Sequence, residues 1–528
     1  MAENKKKIIV AAIVLVMFLF GLYFVREAGA YFDEASEEKI LYNNILQYSD
    51  SFHIKKVSGW LRKQGAIPIC EDIEKDHGIA PYYLCGPLML MTLNKPDVHS
   101  QIWHLYTYCL FFCGVIWMYR LLCEIFHSRI TALTGAMLLF FTPKIFADGL
   151  YNNKDTVLLS MVIIMFFYGI RFLDRRDIPS AWKFGLAAGL ACNLRVSGIY
   201  VFAMIGGYYL LLLSFKKQWS KKNFCAGAMA AGTGACCYIA LTPAIWGQGF
   251  HLISFLKWNL SNTTNFSRMN GRVLFENIFY QYPDTPLPWY YVPKLIILTI
   301  PVYILVLIVV SLLVWCKKCK KGGWPEQLFP LFTLTAAIPI IMAATSTPNL
   351  YNGWRHLYFI YGPMIFMASY AVHCGILVWR GKGKKITMAI LFVLILGDVL
   401  GIARYGIGSV AYTNLLTRGD AGGRYELDYY GVTSQKVLQS LADRYGRINI
   451  FSDSKGAVII NWAVLPSKYQ EQIRILYTED DVETARTLGE PIFGFVNTSY
   501  DVVDDENVNW LENWTAWGNT YVRIRQFY

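Results

Sequence analysis

Four carboxylates stand together in "YFDEASEEKILYNN" at residues 31–44: Asp33, Glu34, Glu37 and Glu38. They follow an unbroken apolar run at 8–25. A carboxylate held at such a boundary can take a proton from a hydroxyl. A second acidic stretch, "FTPKIFADGLYNNKDTVLLS" at 141–160, offers Asp148, Asn152, Asn153, Lys154 and Asp155 in one short turn. Further cations come from elsewhere. Arg195 lies inside the apolar run "GLAAGLACNLRVSGIY", where a charge costs about 3 kcal/mol and so needs a partner or a role. Arg355 and His356 open another run in "YNGWRHLYFIYGP" at 351–363. Guanidinium groups suit bidentate contact with phosphate. Carboxylates from two loops and cations from three segments fit a substrate with an anionic head and a lipid tail. A phosphate-linked sugar on a polyprenol has that form. The cations would hold the phosphate as leaving group. A carboxylate would deprotonate the acceptor hydroxyl as it attacks the sugar carbon, with positive charge developing at the anomeric centre.

Each feature also has a plainer reading. The first cluster could be a solvated loop, the turn a polar hairpin with Lys154 and Asp155 paired to each other. Arg195 could snorkel to the interface, and 351–363 could be an aromatic belt. Within the first cluster, Asp33 reads as the base and Glu34 as its supporting group. Glu37 and Glu38 read as the wet side of a helix.

The elements that must position these groups are membrane spans. The 528 residues are 55% hydrophobic and 16% charged, with mean hydropathy +0.33. Soluble domains carry fewer apolar and more charged residues, and the apolar runs here have the length that crosses about 30 Å of hydrocarbon. The first run is long for a signal peptide and lacks a clean cleavage site, so it reads as a retained anchor. The net charge of +12 gathers in short gaps at 5–7, 171–176, 216–222, 317–321 and 380–385. That is the pattern of cytoplasmic loops, and it argues against a nucleic-acid partner.

Eleven spans are expected near 8–25, 101–126, 130–147, 156–173, 182–199, 200–215, 223–245, 291–315, 327–344, 356–379 and 386–403. The N-terminus is then cytoplasmic and the C-terminus outside. The stretch 81–93 is too short to cross and reads as re-entrant or interfacial. Residues 37–61 could lie on the interface as an amphipathic helix. A first domain is thus expected over 1–403. Residues 404–528 form a second, extracytoplasmic one, where helical patterns at 434–445 and 480–488 alternate with strand-like "RINIFSD", "QIRILYT" and "PIFGFVN". That alternation predicts a small α/β domain, with Thr433 or Ser434 capping its first helix. Of twelve cysteines, Cys316 and Cys319 form a lone CxxC without a second pair, and Cys70 and Cys85 could pair.

The motifs carry a resemblance. "PKIFADGLYNNKD" resembles "PRxFxHxxxNPKD", and "TPLPWYYVPKLIILTIP" resembles "TPWHYxPxxxxxTxP". "NGWRHLYFIYGP" resembles "DGxRHFLFxxPP", and "GGRYELDYYGVTSQ" at 422–435 resembles "GxFELDYWGxS". In this order they are similar to the GT-C glycosyltransferases that use polyprenyl-phosphate sugars, the protein O-mannosyltransferase and aminoarabinose-transferase group. The resemblance implies a mainly α, polytopic GT-C fold and hexosyl or pentosyl transfer with inversion. Asp33 aligns with that group's acidic base, Asp148 falls near its second acidic position, and Lys154 and Asp155 match its "KD". Asn153, Lys154, Asp155, Arg195, Arg355 and His356 are the expected substrate-binding residues. "NNKD" lacks the group's proline, and "YYLCGPL" stands where mannosyltransferases carry "HPPL". Expected partners are the lipid-linked donor, an acceptor glycan, lipid or protein, and membrane lipids. No cofactor or metal is expected, although two acidic loops could hold a divalent ion. A transporter is the rival reading. It would want paired repeats and charges near the bilayer midplane, and neither is evident.

Overall fold

The computed structural model describes residues 2–247, 251–265, 271–282, 284–320, 322–346, 348–378, 382–452, 455–500 and 509–527. The chain opens with helix α1 (Ala2–Val25), then α2 (Glu34–Ser51) and α3 (Lys55–Lys63). A short α4 (Gly86–Thr92) precedes the 31-residue α5 (Pro96–Phe126). After α6 (Arg129–Phe140) and α7 (Pro143–Asp148) come α8 (Asp155–Arg175), α9 (Ile178–Leu194), α10 (Ser197–Phe215) and α11 (Lys221–Leu241). Helix α12 (Leu252–Asn265) leads to a hairpin of β1 (Val273–Phe275) and β2 (Ile278–Tyr280). Five helices follow: α13 (Tyr291–Thr299), α14 (Val302–Lys318), α15 (Trp324–Ser346), α16 (Tyr361–Val378) and α17 (Lys382–Tyr405).

Among the described residues, eight helices are long and apolar enough to cross a membrane, and α13 with α14 makes a ninth if that pair, bent by 112°, is one span. The bend falls at Ile300–Pro301, where proline cannot continue the α13 hydrogen-bond ladder. Two of the eleven expected spans fall short. Helix α6 has 12 residues, about 18 Å long, because the chain breaks at Thr142 and restarts at Pro143. Helix α9 has 17 residues and stops at Leu194. Arg195 therefore sits at an extended junction (φ −154°, ψ 149°), not inside a helix as expected. Helices α8 and α16 are the most enclosed of the long helices, whereas α1, α11 and α17 leave most of their apolar surface open. The enclosed pair start at the acidic turn and the Arg355 segment, so the two motifs are delivered by the best-packed helices.

The stretch 81–93 forms a 3-10 turn and the seven-residue α4, which cannot cross. Residues 37–61 form two helices rather than one, α2 and α3, and α2 buries Glu37, Asn43, Asn44 and Gln47 along with its apolar residues. All twelve cysteines are free thiols, so Cys70 and Cys85 are not joined.

Beyond residue 404 the helix–strand alternation is present. Helix α18 (Ser434–Tyr445) is followed by β3 (Ile448–Phe451), α19 (Lys455–Ala463), α20 (Ser467–Gln472), β4 (Ile473–Leu476), α21 (Glu479–Thr487) and β5 (Ile492–Asn497). Strands β6 (Trp510–Ala516) and β7 (Asn519–Gln526), not expected from the sequence, complete a sheet of order β4-β3-β5-β7-β6. The three expected strands pair in parallel and the last two antiparallel. Thr478 and Asp481 form a capping box at α21, worth about 1 kcal/mol. Thr433 is the N-cap of α18 but its side chain does not cap it. Its hydroxyl donates to Asp428 at 2.5 Å instead.

The residues beyond 404 are stitched to the earlier part of the chain. Asn461 Nδ2 donates to the carbonyls of Ala30 and Gly431, each at 3.0 Å, and Gly29 N–H donates to Val432 O at 2.9 Å. Gly431 holds φ +68°, and a Cβ there would lie 2.5 Å from Ala457 Cβ. Gly431→Ala is therefore expected to cost on the order of 1–3 kcal/mol. A melting curve of the purified variant should shift down by several degrees, and an unchanged curve would refute the strain.

Candidate active site

The centre of the site is Asp155, the first residue of α8. Asn152 shapes the turn before it: its side-chain carbonyl accepts Asp155 N–H at 2.8 Å and its amide donates to the Asp155 carboxylate at 3.2 Å. That carboxylate is buried between two guanidinium groups, with Arg195 Nη2 and Arg355 Nη1 each 3.0 Å away. The three residues lie on three segments: the turn before α8, the α9–α10 junction and the 3-10 helix Arg355–Ile360 ahead of α16. A helix N-terminus favours the negative charge. Two cations against one anion leave an excess of one positive charge. The Arg355 side chain is 3% exposed and that of Arg195 19%. The Nε atom of each is buried and has no hydrogen-bond partner among the described residues. Unpaired donors on buried charges are costly, and an anion would satisfy them.

The expected carboxylates separate sharply. Asp33 is half-buried at the N-terminus of α2, and its carboxylate makes no hydrogen bond or ion pair among the described residues. Glu34, expected to support it, is committed elsewhere: it accepts from Ser100 Oγ at 2.6 Å and Tyr31 N–H at 3.2 Å, and meets His104 Nε2 at 2.8 Å. Glu37 and Glu38 are not the wet side of a helix. Glu37 is buried in an ion pair with Lys154, and Asn153 Nδ2 approaches it at 3.4 Å. Glu38 pairs with His99 at 3.1 Å, and burial raises its carboxyl. Helix α2 thus packs its acidic side against α5 and the acidic turn. Asn153 and Lys154, expected on substrate, serve that packing, and Lys154 Nζ also lies 3.1 Å from His77 Nδ1.

Asp148, expected to be catalytic, is fully buried and accepts from Tyr151 at 2.6 Å and Tyr358 at 2.5 Å. Burial raises its carboxyl, opposed chiefly by Lys144. It braces an aromatic layer through these two phenols. His356 is buried edge-to-face with Tyr351, their rings 4.8 Å apart.

Sequence reasoning missed what covers the arginines. Tyr351, Tyr430 and Tyr429 place their rings 5.0, 5.1 and 6.0 Å from the Arg355 guanidinium. Two of them belong to the "ELDYYG" motif. In the same motif Glu426 accepts Asn352 N–H at 3.0 Å, steadying the turn that presents Arg355. Asn352 and Gly353 adopt φ +57° and +74° there. Burial pushes the Glu426 carboxyl up to about 8.

Among the described residues, one group has donors close enough to share a cation: Glu74, Asp76 and His77, within 4.8 Å of one another. His77 Nδ1 is already engaged by Glu74 at 2.7 Å and faces the Lys154 ammonium. A cationic side chain thus occupies the approach to that group.

Two outcomes are expected. Asp155→Asn leaves two buried guanidinium groups without a counter-charge, a loss of about 3–5 kcal/mol, read as a large drop in melting temperature. Retention of the wild-type melt would contradict the clamp. Glu426 holds its proton to about pH 8 in the folded chain, against an ordinary value of 4.5. Its contribution is complete below the ordinary value and lost as pH rises through about 8. The wild-type melting temperature should fall across that window more steeply than that of Glu426→Gln, and parallel profiles would refute the assignment.

Comparison with known proteins adds an independent line. Residues 98–246 match the family described as dolichyl-phosphate-mannose-protein mannosyltransferase. No curated protein matches the chain. Among solved structures, ArnT from Cupriavidus metallidurans bound to undecaprenyl phosphate is similar at 10% identity, with 99% of this chain and 98% of that one covered and a TM-score of 0.44. The same protein in the apo state is similar at 11% identity, covering 100% and 98%, with a TM-score of 0.46. The family match falls on the stretch that carries Asp148, Asp155 and Arg195, and it bears out the resemblance to GT-C glycosyltransferases that the motifs carry.

Proposed function

We propose that this membrane protein transfers a hexosyl or pentosyl group from a polyprenyl-phosphate donor to an acceptor hydroxyl, with inversion at the sugar carbon. The observation that carries the reading is the surplus positive charge of the Asp155–Arg195–Arg355 cluster. Its buried, unsatisfied guanidinium donors match the oxygens of a phosphate. The lipid tail of the donor would lie along the exposed apolar helices.

In the reaction, Asp33 takes the proton of the acceptor hydroxyl as its oxygen bonds to the anomeric carbon. The bond from that carbon to the phosphate oxygen breaks at the same time, and its electron pair leaves with the polyprenyl phosphate. Arg195 and Arg355 stabilise the charge that gathers on the leaving group. Asp155 fixes both guanidinium groups and stays ionised throughout. The freedom of the Asp33 carboxylate supports its role, because Glu34, Glu37, Glu38 and Asp148 are all committed to internal bonds.

The site reads as extracytoplasmic, with the N-terminus in the cytoplasm and residues 404–528 outside. The basic gaps between spans support that orientation. The acceptor is a glycan, a lipid or a protein hydroxyl.

Asp33→Asn tests the proposal. Loss of a general base costs about 10²–10⁴-fold in rate, so transfer from a polyprenyl-phosphate sugar should fall by that much while the melting temperature holds. Wild-type transfer by this variant would overturn the base assignment.

A further inference from the structure

Asp155 grips Arg355 through Nη1 alone. A guanidinium held at one corner can pivot about that contact, and Arg195 on the same carboxylate repels it. What fixes its plane is aromatic. Tyr351 belongs to the same loop as Arg355, but Tyr430 comes from the domain beyond residue 404 and reaches across to it. Its ring centroid lies 5.1 Å from the guanidinium, within the roughly 6 Å range of a cation–π contact. The ring is itself wedged edge-on against Tyr31 at 5.5 Å and 66° and Tyr151 at 5.9 Å and 88°.

The backbone around Tyr430 is built to hold that pose. On one side the Asp428 carboxylate accepts Val432 N–H, Thr433 N–H and the Thr433 hydroxyl at 3.1, 3.1 and 2.5 Å. On the other, Gly431 turns the chain at φ +68°, and its carbonyl accepts Asn461 Nδ2 at 3.0 Å. Burial raises the Tyr430 phenol most, Arg355 opposes that shift and the Asp33 charge adds to it. Both charges thus act on the Tyr430 ring.

We propose that Tyr430 is a positioning residue of the transfer site: its ring sets the plane in which Arg355 meets the donor phosphate, so the C-terminal domain completes the site. This rests on the donor reading above. Tyr430 touches no reacting atom; it acts through Arg355.

The test uses the full chain in lipid nanodiscs, with polyprenyl phosphate as the probe. Wild type, Tyr430→Phe, Tyr430→Leu and Tyr430→Met are compared for binding, for KM of a polyprenyl-phosphate sugar and for melting without lipid. Phe keeps the ring, and its dissociation constant should stay within about twofold of wild type. Leu and Met lack a π face, and each should weaken binding about five- to tenfold and raise KM by a similar factor, with kcat falling as well because Arg355 also stabilises the leaving group. Either of the two suffices if the other does not fold. Wild-type binding and KM in a folded Leu or Met variant would overturn the proposal. So would equal damage from Phe. If wild type itself does not bind polyprenyl phosphate, the donor reading falls first, and this inference with it.

Discussion

The site depends on one buried carboxylate that faces two arginines. Asp155 cannot be explained as half of a balanced ion pair, because its partners outnumber it. Buried pairs repay their desolvation only when geometry and charge are well matched. Here one positive charge is left over, and the two Nε donors remain unsatisfied among the described residues. A fold that keeps such an arrangement carries a cost that the proposed anionic donor would offset. Everything near it works to hold three distant segments in register: Asn152 shapes the turn before α8, α9 breaks at Arg195, and the left-handed residues Asn352 and Gly353 turn the chain into Arg355.

Around this centre the remaining charges are paired off. Glu34, Glu37 and Glu38 each face a partner on α5 or the acidic turn, so α2 is locked by buried contacts. Asp148 is tied up by two phenols. The Asp33 carboxylate alone of this acidic cluster is left without an internal bond among the described residues, which is why it is the proposed base. The C-terminal domain joins in through one motif, where Glu426 steadies the Arg355 turn and Tyr430 lies over its guanidinium.

Much of this was legible in the sequence because the signals were local. Apolar run lengths placed most spans, and strand and helix periodicities placed β3, β4, β5, α18 and α21. Asp33, Asp155, Arg195 and Arg355 were singled out because charges beside or within apolar runs need a reason. Their pairing was not legible: Asp155 and Arg355 are 200 positions apart, and only tertiary packing brings them together. The same limit hid the fate of Glu37, whose partner Lys154 was expected on the substrate. Helices α6 and α9 were overestimated because hydropathy does not register the breaks at Thr142–Pro143 and Arg195. Strands β6 and β7 were missed because β6 alternates between half-buried and exposed residues and neither strand carries a long apolar run. Tyr429 and Tyr430 were in view within a quoted motif, yet aromatic residues carry no charge to draw attention.

The most direct test of the central claim is an electron cryo-microscopy structure of the full chain with polyprenyl phosphate bound. The account predicts phosphate oxygens within hydrogen-bond distance of both Arg195 and Arg355. A phosphate bound elsewhere, with the two guanidinium groups still facing only Asp155, would contradict it.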